Sequence, residues 1–157
     1  MRYKAKSVEV ICRWALVLSI CLFTAQSAIA EEAKTTPPIK GQVTFLYYAD
    51  MDKAAHFYGE IMGFENTFDE EWVKFFAITP TSSVGLVDES RGFHQTSDVK
   101  PVMLSVETDD VESWYNYLKK KDVNFIKHLD KSKSKGFVHA ILVEDPGGYT
   151  VEVFEWK

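Results

Sequence analysis

Gly41–Ala49, GQVTFLYYA, running into Asp50–Gly63, DMDKAAHFYGEIMG, is the stretch that decides the fold. Its first part is rich in β-branched and aromatic side chains, which suit a pleated, half-buried surface, so it reads as a strand. Asp50 then opens a helix. Met51, Ala54, Ala55, Tyr58, Ile61 and Met62 recur at three- and four-residue spacing and share one face, and Gly63 ends the element. Three short strands are expected next, over 64–69, 72–79 and 82–88, with Glu70-Glu71 and Pro80 as the breaks.

The same plan then returns. A polar stretch, ESRGFHQTSDVK over 89–100, leads into a strand expected over 102–108 and a helix opened by Asp110. The apolar positions of that helix, Val111, Trp114, Tyr115 and Leu118, equal Met51, Ala54, Ala55 and Tyr58 plus sixty. Strands are expected over 123–129, 136–143 and 150–154, with a basic turn at 131–135 and a tight one at Asp145-Pro146-Gly147-Gly148. The fold class is therefore α+β: two tandem βαβββ modules, 41–90 and 100–157, with a linker over 91–99. Two equal halves of this kind pack so that their sheets share a groove.

Ahead of the first strand, Met1–Arg13 is basic, Trp14–Phe23 is apolar, and Ala28-Ile29-Ala30 carries small residues where a signal peptidase reads. This is the layout of a secretory signal, with cleavage expected after Ala30. The apolar run is too short for a membrane-spanning helix, which needs about 20 residues, so no stable span is expected in the mature chain. Residues 31–40, EEAKTTPPIK, read as a flexible tether. The expected location is secreted or periplasmic.

Residues 1–30 hold four of the 18 basic residues, one of the 23 acidic ones and both cysteines. The remaining 127 residues thus carry 14 basic and 22 acidic side chains, a formal charge of −8, and no Cys. That balance excludes sequence-independent nucleic-acid binding, which needs Lys and Arg to displace counterions. The lack of Cys excludes a disulfide framework, a Cys-ligated metal and a Cys nucleophile.

Asp50–Tyr58 with Gly63-Phe64, then Leu104–Val111 (LSVETDDV), then Glu144–Glu155 (EDPGGYTVEVFE) resemble three parts of the vicinal oxygen chelate superfamily. Glyoxalase I, extradiol dioxygenases, fosfomycin-resistance enzymes and bleomycin-binding proteins belong to that group. The resemblance implies one divalent metal held by two His and two carboxylates, one from each of four strands. It also implies dimers whose grooves are sometimes shared between chains. Carried over residue by residue, the ligand positions fall on Val43 (Gln42 lies one further), Gly85, Met103 and Glu152. Only Glu152 keeps a ligating side chain, and hydrocarbon or thioether groups do not hold a hard cation. No cofactor is expected, and the metal site is read as lost.

The four histidines are the remaining source of chemistry. His56 and His128 read as surface residues, and His94 lies in the linker, where a loop can fold over the groove. His139 lies on the strand that pairs with the Glu152 strand. It is either a lone hydrogen-bonding side chain, an acid/base partner of Glu152, or part of a rebuilt metal site with His94. A one-residue change of register would move it to the other face.

Alternation along strands gives the groove lining. Val43, Phe45 and Tyr47 share a face; so do Met103, Ser105 and Glu107, and Thr150, Glu152 and Phe154. The strand over 72–79 offers either Trp72, Lys74, Phe76 and Ile78 or Val73, Phe75 and Ala77. The expected lining is Val43, Phe45, Tyr47, Phe75, Gly85, Met103, Ser105, His139, Glu152 and Phe154. An apolar, aromatic cleft of this kind suits a small apolar or aromatic ligand, bound without metal as in the bleomycin-resistance branch. The alternatives are a lyase, isomerase or dioxygenase built on Glu152 and His139, and a protein-interaction module with a filled groove.

Overall fold

The computed structural model describes residues 37–132 and 136–157. The expected signal segment and residues 31–36 of the tether lie outside the described residues. Lys40–Lys157 form one unit. Its elements run β1 (Gln42–Tyr48), α1 (Met51–His56), β2 (Glu65–Glu70), β3 (Val73–Thr79), β4 (Ser82–Asp88), β5 (Met103–Glu107), α2 (Val111–Leu118), β6 (Asn124–Lys127), β7 (Val138–Glu144) and β8 (Thr150–Trp156). The two βαβββ modules are thus present, each a four-stranded mixed sheet with one helix. The strand orders are β1-β4-β3-β2 and β5-β8-β7-β6, and neither sheet closes on itself.

Both helices start where the sequence places them. The Asp50 carboxylate accepts from the Lys53 N–H at 3.0 Å, and the Asp110 carboxylate accepts from the Ser113 N–H at 2.9 Å. Each satisfies a backbone donor that the first turn leaves without a partner. Past His56, α1 widens into a π-helical turn, Phe57–Ile61, in which the Met62 N–H reaches the Phe57 carbonyl at 2.8 Å. The wider turn lets Phe57, Tyr58 and Met62 all enter the core.

The core lies between each sheet and its helix. In the first module Leu46 is 1% and Tyr48 2% exposed, packed with Ala54, Tyr58, Phe76, Val84 and Leu86. In the second, Leu104, Val106, Ile141, Val143, Val151 and Val153 close on Val111 and Leu118. The alternate residues of the same strands form the other, open face of each sheet. No helix among the described residues is long and apolar enough to cross a membrane.

Candidate functional site

Register decides what stands on the open faces. In the first sheet Phe45 pairs with Gly85, Gly85 with Phe75, and Phe75 with Phe68. These four positions make one row across the sheet. Val43 is 37% and Phe45 47% exposed, while their neighbours Leu46 and Tyr48 are buried on the helix side. Of the two sets offered by β3, the one with Val73, Phe75 and Ala77 is on the open face. Phe76, beside it, is buried in the core.

Gly85 is what allows the row to close. The rings of Phe45 and Phe75 meet edge to face at 5.6 Å, and Phe68 lies against Phe75 at 5.0 Å. A Cβ on Gly85 would stand 2.6 Å from Cδ1 of Phe45 and 3.0 Å from Cγ1 of Val43. Phe45 and Val43 therefore occupy the space that a carboxylate at position 85 would need.

The open end of this face is capped by the linker. The His94 ring meets the edge of Tyr47 at 5.4 Å, with Phe93 beside it at 4.8 Å. Gly92 makes the approach possible: a Cβ there would come within 2.6 Å of Val87 and 2.7 Å of Tyr47. Glu89 secures the loop by accepting from the Thr96 N–H at 3.0 Å.

The second sheet carries the corresponding row Ser105, Glu152, Leu142 and Lys127. The Ser105 hydroxyl donates to Oε2 of Glu152 at 2.8 Å. Met103, one step along β5, is 47% exposed. Phe154 and Trp156 follow Glu152 on the same face, their rings perpendicular at 5.6 Å. A cleft of about 400 Å³ runs between β1 and β5, with Gln42, Thr44, Met103, Ser105 and Glu107 among its lining residues.

His139 does not join this site. It pairs with Glu155, and Leu142 is the partner of Glu152, so His139 falls on the helix-side parity with Ile141 and Val143. The expected lining loses His139, and of the alternatives for it the His139–Glu152 acid/base pair is not formed. His128 is engaged elsewhere: it stacks on Phe125 at 4.9 Å, and its Nδ1 lies 3.1 Å from the Tyr115 hydroxyl. His56 is exposed.

The residues present do not fit the superfamily's metal. Val43 and Met103 offer no suitable lone pair, Gly85 is roofed by Phe45, and the Glu152 carboxylate is bonded to Ser105. Among the described residues no three of His, Cys, Asp and Glu come together to hold an ion.

One residue that the sequence reading treated only as part of a turn proves central. Asp145 is 4% exposed. Its Oδ2 accepts from the Tyr48 hydroxyl at 2.5 Å and the Tyr58 hydroxyl at 2.9 Å. Its Oδ1 accepts from the N–H groups of Gly147 at 2.9 Å and Tyr149 at 2.8 Å. The Tyr149 hydroxyl in turn donates to the Tyr47 carbonyl at 3.3 Å. These bonds tie β1 and the α1 region of the first module to the β7–β8 turn of the second. Burial pushes the Asp145 carboxyl above its ordinary value, against the lowering effect of its four donors. Burial also raises the Tyr48 and Tyr58 hydroxyls, so both remain protonated donors. The Asp-Pro-Gly-Gly turn signals an Asx turn onto Gly147; nothing local signals the two tyrosines.

The fold is that of a duplicated βαβββ protein, with one open face on each four-stranded sheet. Residues 41–153 match the Glyoxalase/Bleomycin resistance protein/Dioxygenase superfamily, and the chain belongs to it. Solved structures share the fold. The lactoylglutathione lyase of Agrobacterium tumefaciens is 23% identical with a TM-score of 0.61, over 76% of this chain and 95% of that one. A glyoxalase/bleomycin resistance protein/dioxygenase from Nocardioides is 17% identical with a TM-score of 0.64, over 88% and 93%. TnmS3, an antibiotic binding protein from Streptomyces sp. CB03234, is 22% identical with a TM-score of 0.63, over 78% and 100%. No curated protein sequence matches the chain.

Proposed function

We propose that this protein binds a small apolar or aromatic molecule in its groove, without the superfamily's metal and without chemical conversion of the ligand. The observation that carries the reading is the row Phe45, Gly85, Phe75 and Phe68. It presents contiguous aromatic surface on an open face where a metal-binding member would place a carboxylate. Exposed aromatic surface in a concave site is what small-molecule pockets use for affinity, with a few polar groups for orientation. The Ser105–Glu152 pair and the Tyr47–His94 cap are those groups here. The antibiotic-binding description of TnmS3, a protein of the same fold, supports sequestration as a use for such a groove.

In this reading the protein works in the periplasm or outside the cell, as a homodimer. Cell fractionation and analytical ultracentrifugation test those two parts. The central test is a thermal-shift screen of aromatic compounds, followed by titration calorimetry with wild type and Phe45→Ala. Binding that weakens about tenfold in the variant supports the proposal, that being the loss expected for one aromatic contact. Stoichiometric divalent metal in the protein purified from its host, lost in Glu152→Ala, overturns it. A screen with no hit leaves a groove filled by a protein partner as the better account.

A further inference from the structure

An open sheet has two edges, and an edge strand presents backbone N–H and C=O groups with which another chain can pair. The edges of the two sheets are β1, β2, β5 and β6. Three of them are blunted. β2 has a register shift between Asn66 and Phe68 and carries the carboxylates of Glu65, Asp69 and Glu70. β6 is only four residues long and shifts between Phe125 and Lys127. On β1 the Tyr149 hydroxyl stoppers Tyr47, accepting from its N–H at 3.2 Å and donating to its carbonyl at 3.3 Å.

The β5 edge has no such device. Met103–Glu107 contains neither Lys nor Pro and pairs with β8 without a shift. The Thr108 N–H donates to the Phe154 carbonyl at 2.8 Å, so the backbone of Thr108 faces β8, as do those of Val106 and Leu104 at alternate positions before it. Backbone groups alternate in direction along a strand, so the N–H and C=O groups of Met103, Ser105 and Glu107 point off the edge. Among the described residues these backbone groups have no hydrogen-bond partner.

The cleft of about 400 Å³ between β1 and β5 runs along this edge, and all five residues of β5 line it. β1 and β5 are not paired with each other, so no ladder of the protein's own closes the space. Its walls differ. Leu104, Val106 and Ile78 make an apolar wall on the helix side, while Ser105 and Glu107 make a polar one on the open face.

We propose that β5 is a docking edge for an extended peptide, which adds to the second sheet as a fifth strand. The peptide backbone pairs with Met103, Ser105 and Glu107. Its side chains alternate: apolar ones meet Leu104, Val106 and Ile78, and basic ones stand beside Ser105 and Glu107. Outward backbone donors and acceptors in a row are matched by a strand, which sets the class of occupant. The Glu107 carboxylate and the chain's formal charge of −5 favour basic over acidic residues in it. The inference is independent of the small-molecule reading, whose phenylalanine row stands on the face of the first sheet and not on this edge.

The test is fluorescence anisotropy on the whole protein with a labelled seven-residue peptide of alternating valine and lysine. Two further peptides carry methyl groups on alternate backbone nitrogens, one in each frame. The parent is expected to bind, and at least one methylated frame to bind about tenfold weaker, because the methyl groups remove ladder donors and leave the side chains alone. A peptide with glutamate in place of lysine is expected to bind more weakly, by a margin that shrinks in added salt. Ser105→Pro removes an outward N–H on an edge strand, where proline is tolerated, and should weaken the parent about tenfold. Ser105→Ala keeps that N–H and should stay within about twofold of wild type. Circular dichroism reports whether the proline variant is folded; if it is not, the methylated peptides decide with wild type alone. No binding of the parent, equal binding of the parent and both methylated peptides, or full binding by a folded Ser105→Pro protein overturns the docking edge. Equal binding of the glutamate peptide overturns the basic chemistry assigned to the partner.

Discussion

Equivalent rows of the two halves have opposite chemistry. Phe45, Gly85, Phe75 and Phe68 cross the first sheet; Ser105, Glu152, Leu142 and Lys127 cross the second at the same register. The helix-side faces of the two halves are alike, with Leu46 of β1 answered by Val106 of β5 in the core. The lesson is that the duplicated plan constrains only the packed face. A strand must bury one side against its helix, because apolar burial there is what stabilises the module. The other side is free to become a phenylalanine platform in one half and a carboxylate site in the next.

The strongest way to break the comparison is to cut the tie between the halves. Asp145→Ala leaves the Tyr48 and Tyr58 hydroxyls and two backbone donors without their acceptor, and should cost about 3 kcal/mol in urea unfolding. Asp145→Asn should cost less, and its pH profile is informative. Because burial raises the carboxyl, the folded protein holds that proton more tightly than the unfolded chain does. The stability contributed by this group is complete below about pH 4, the ordinary carboxylate value, and is lost as pH rises through the raised one. The advantage of wild type over Asp145→Asn should therefore narrow as pH rises from acid to neutral. A gap that widens instead would show that the four donors dominate over burial.

A second variant moves the chemistry of one half into the other. Gly85→Glu meets the Phe45 ring at its Cβ and should destabilise by about 2 kcal/mol, measured by thermal unfolding. Adding Phe45→Ala should recover most of that loss, a non-additivity expected of residues in contact. Full additivity would mean that the ring does not roof the position.

Smaller effects sharpen the comparison. Phe45→Ala by itself should cost about 1 kcal/mol of stability, since the ring is 47% exposed, while weakening aromatic ligands about tenfold. Ser105→Ala removes the hydrogen bond to Glu152 and should lower stability by about 0.5 kcal/mol in urea unfolding. An unchanged unfolding midpoint would show that the Ser105–Glu152 bond adds nothing to the second sheet.

Much of this architecture is legible in the chain. The sixty-residue repeat announces two modules, and both helix-opening aspartates cap as their sequence context suggests. The alternation in β1 assigns Val43, Phe45 and Tyr47 to the face opposite Leu46 and Tyr48, and the structure keeps that division. The same reasoning stops at β7, where it admits two parities for His139, and at β3, where it leaves two candidate sets. Those choices depend on partners in other strands.

What the sequence determined by itself was local and periodic: where strands and helices begin and which residues share a face. Tertiary structure alone decided the rest. Pairing of β7 with β8 turned His139 toward the helix side, since a strand has two equivalent faces until a neighbour sets its register. It also decided that Asp145 is buried beneath Tyr48, which lies 97 positions earlier in the chain. A buried carboxylate exists only where distant donors converge to satisfy it, and no local pattern encodes that convergence.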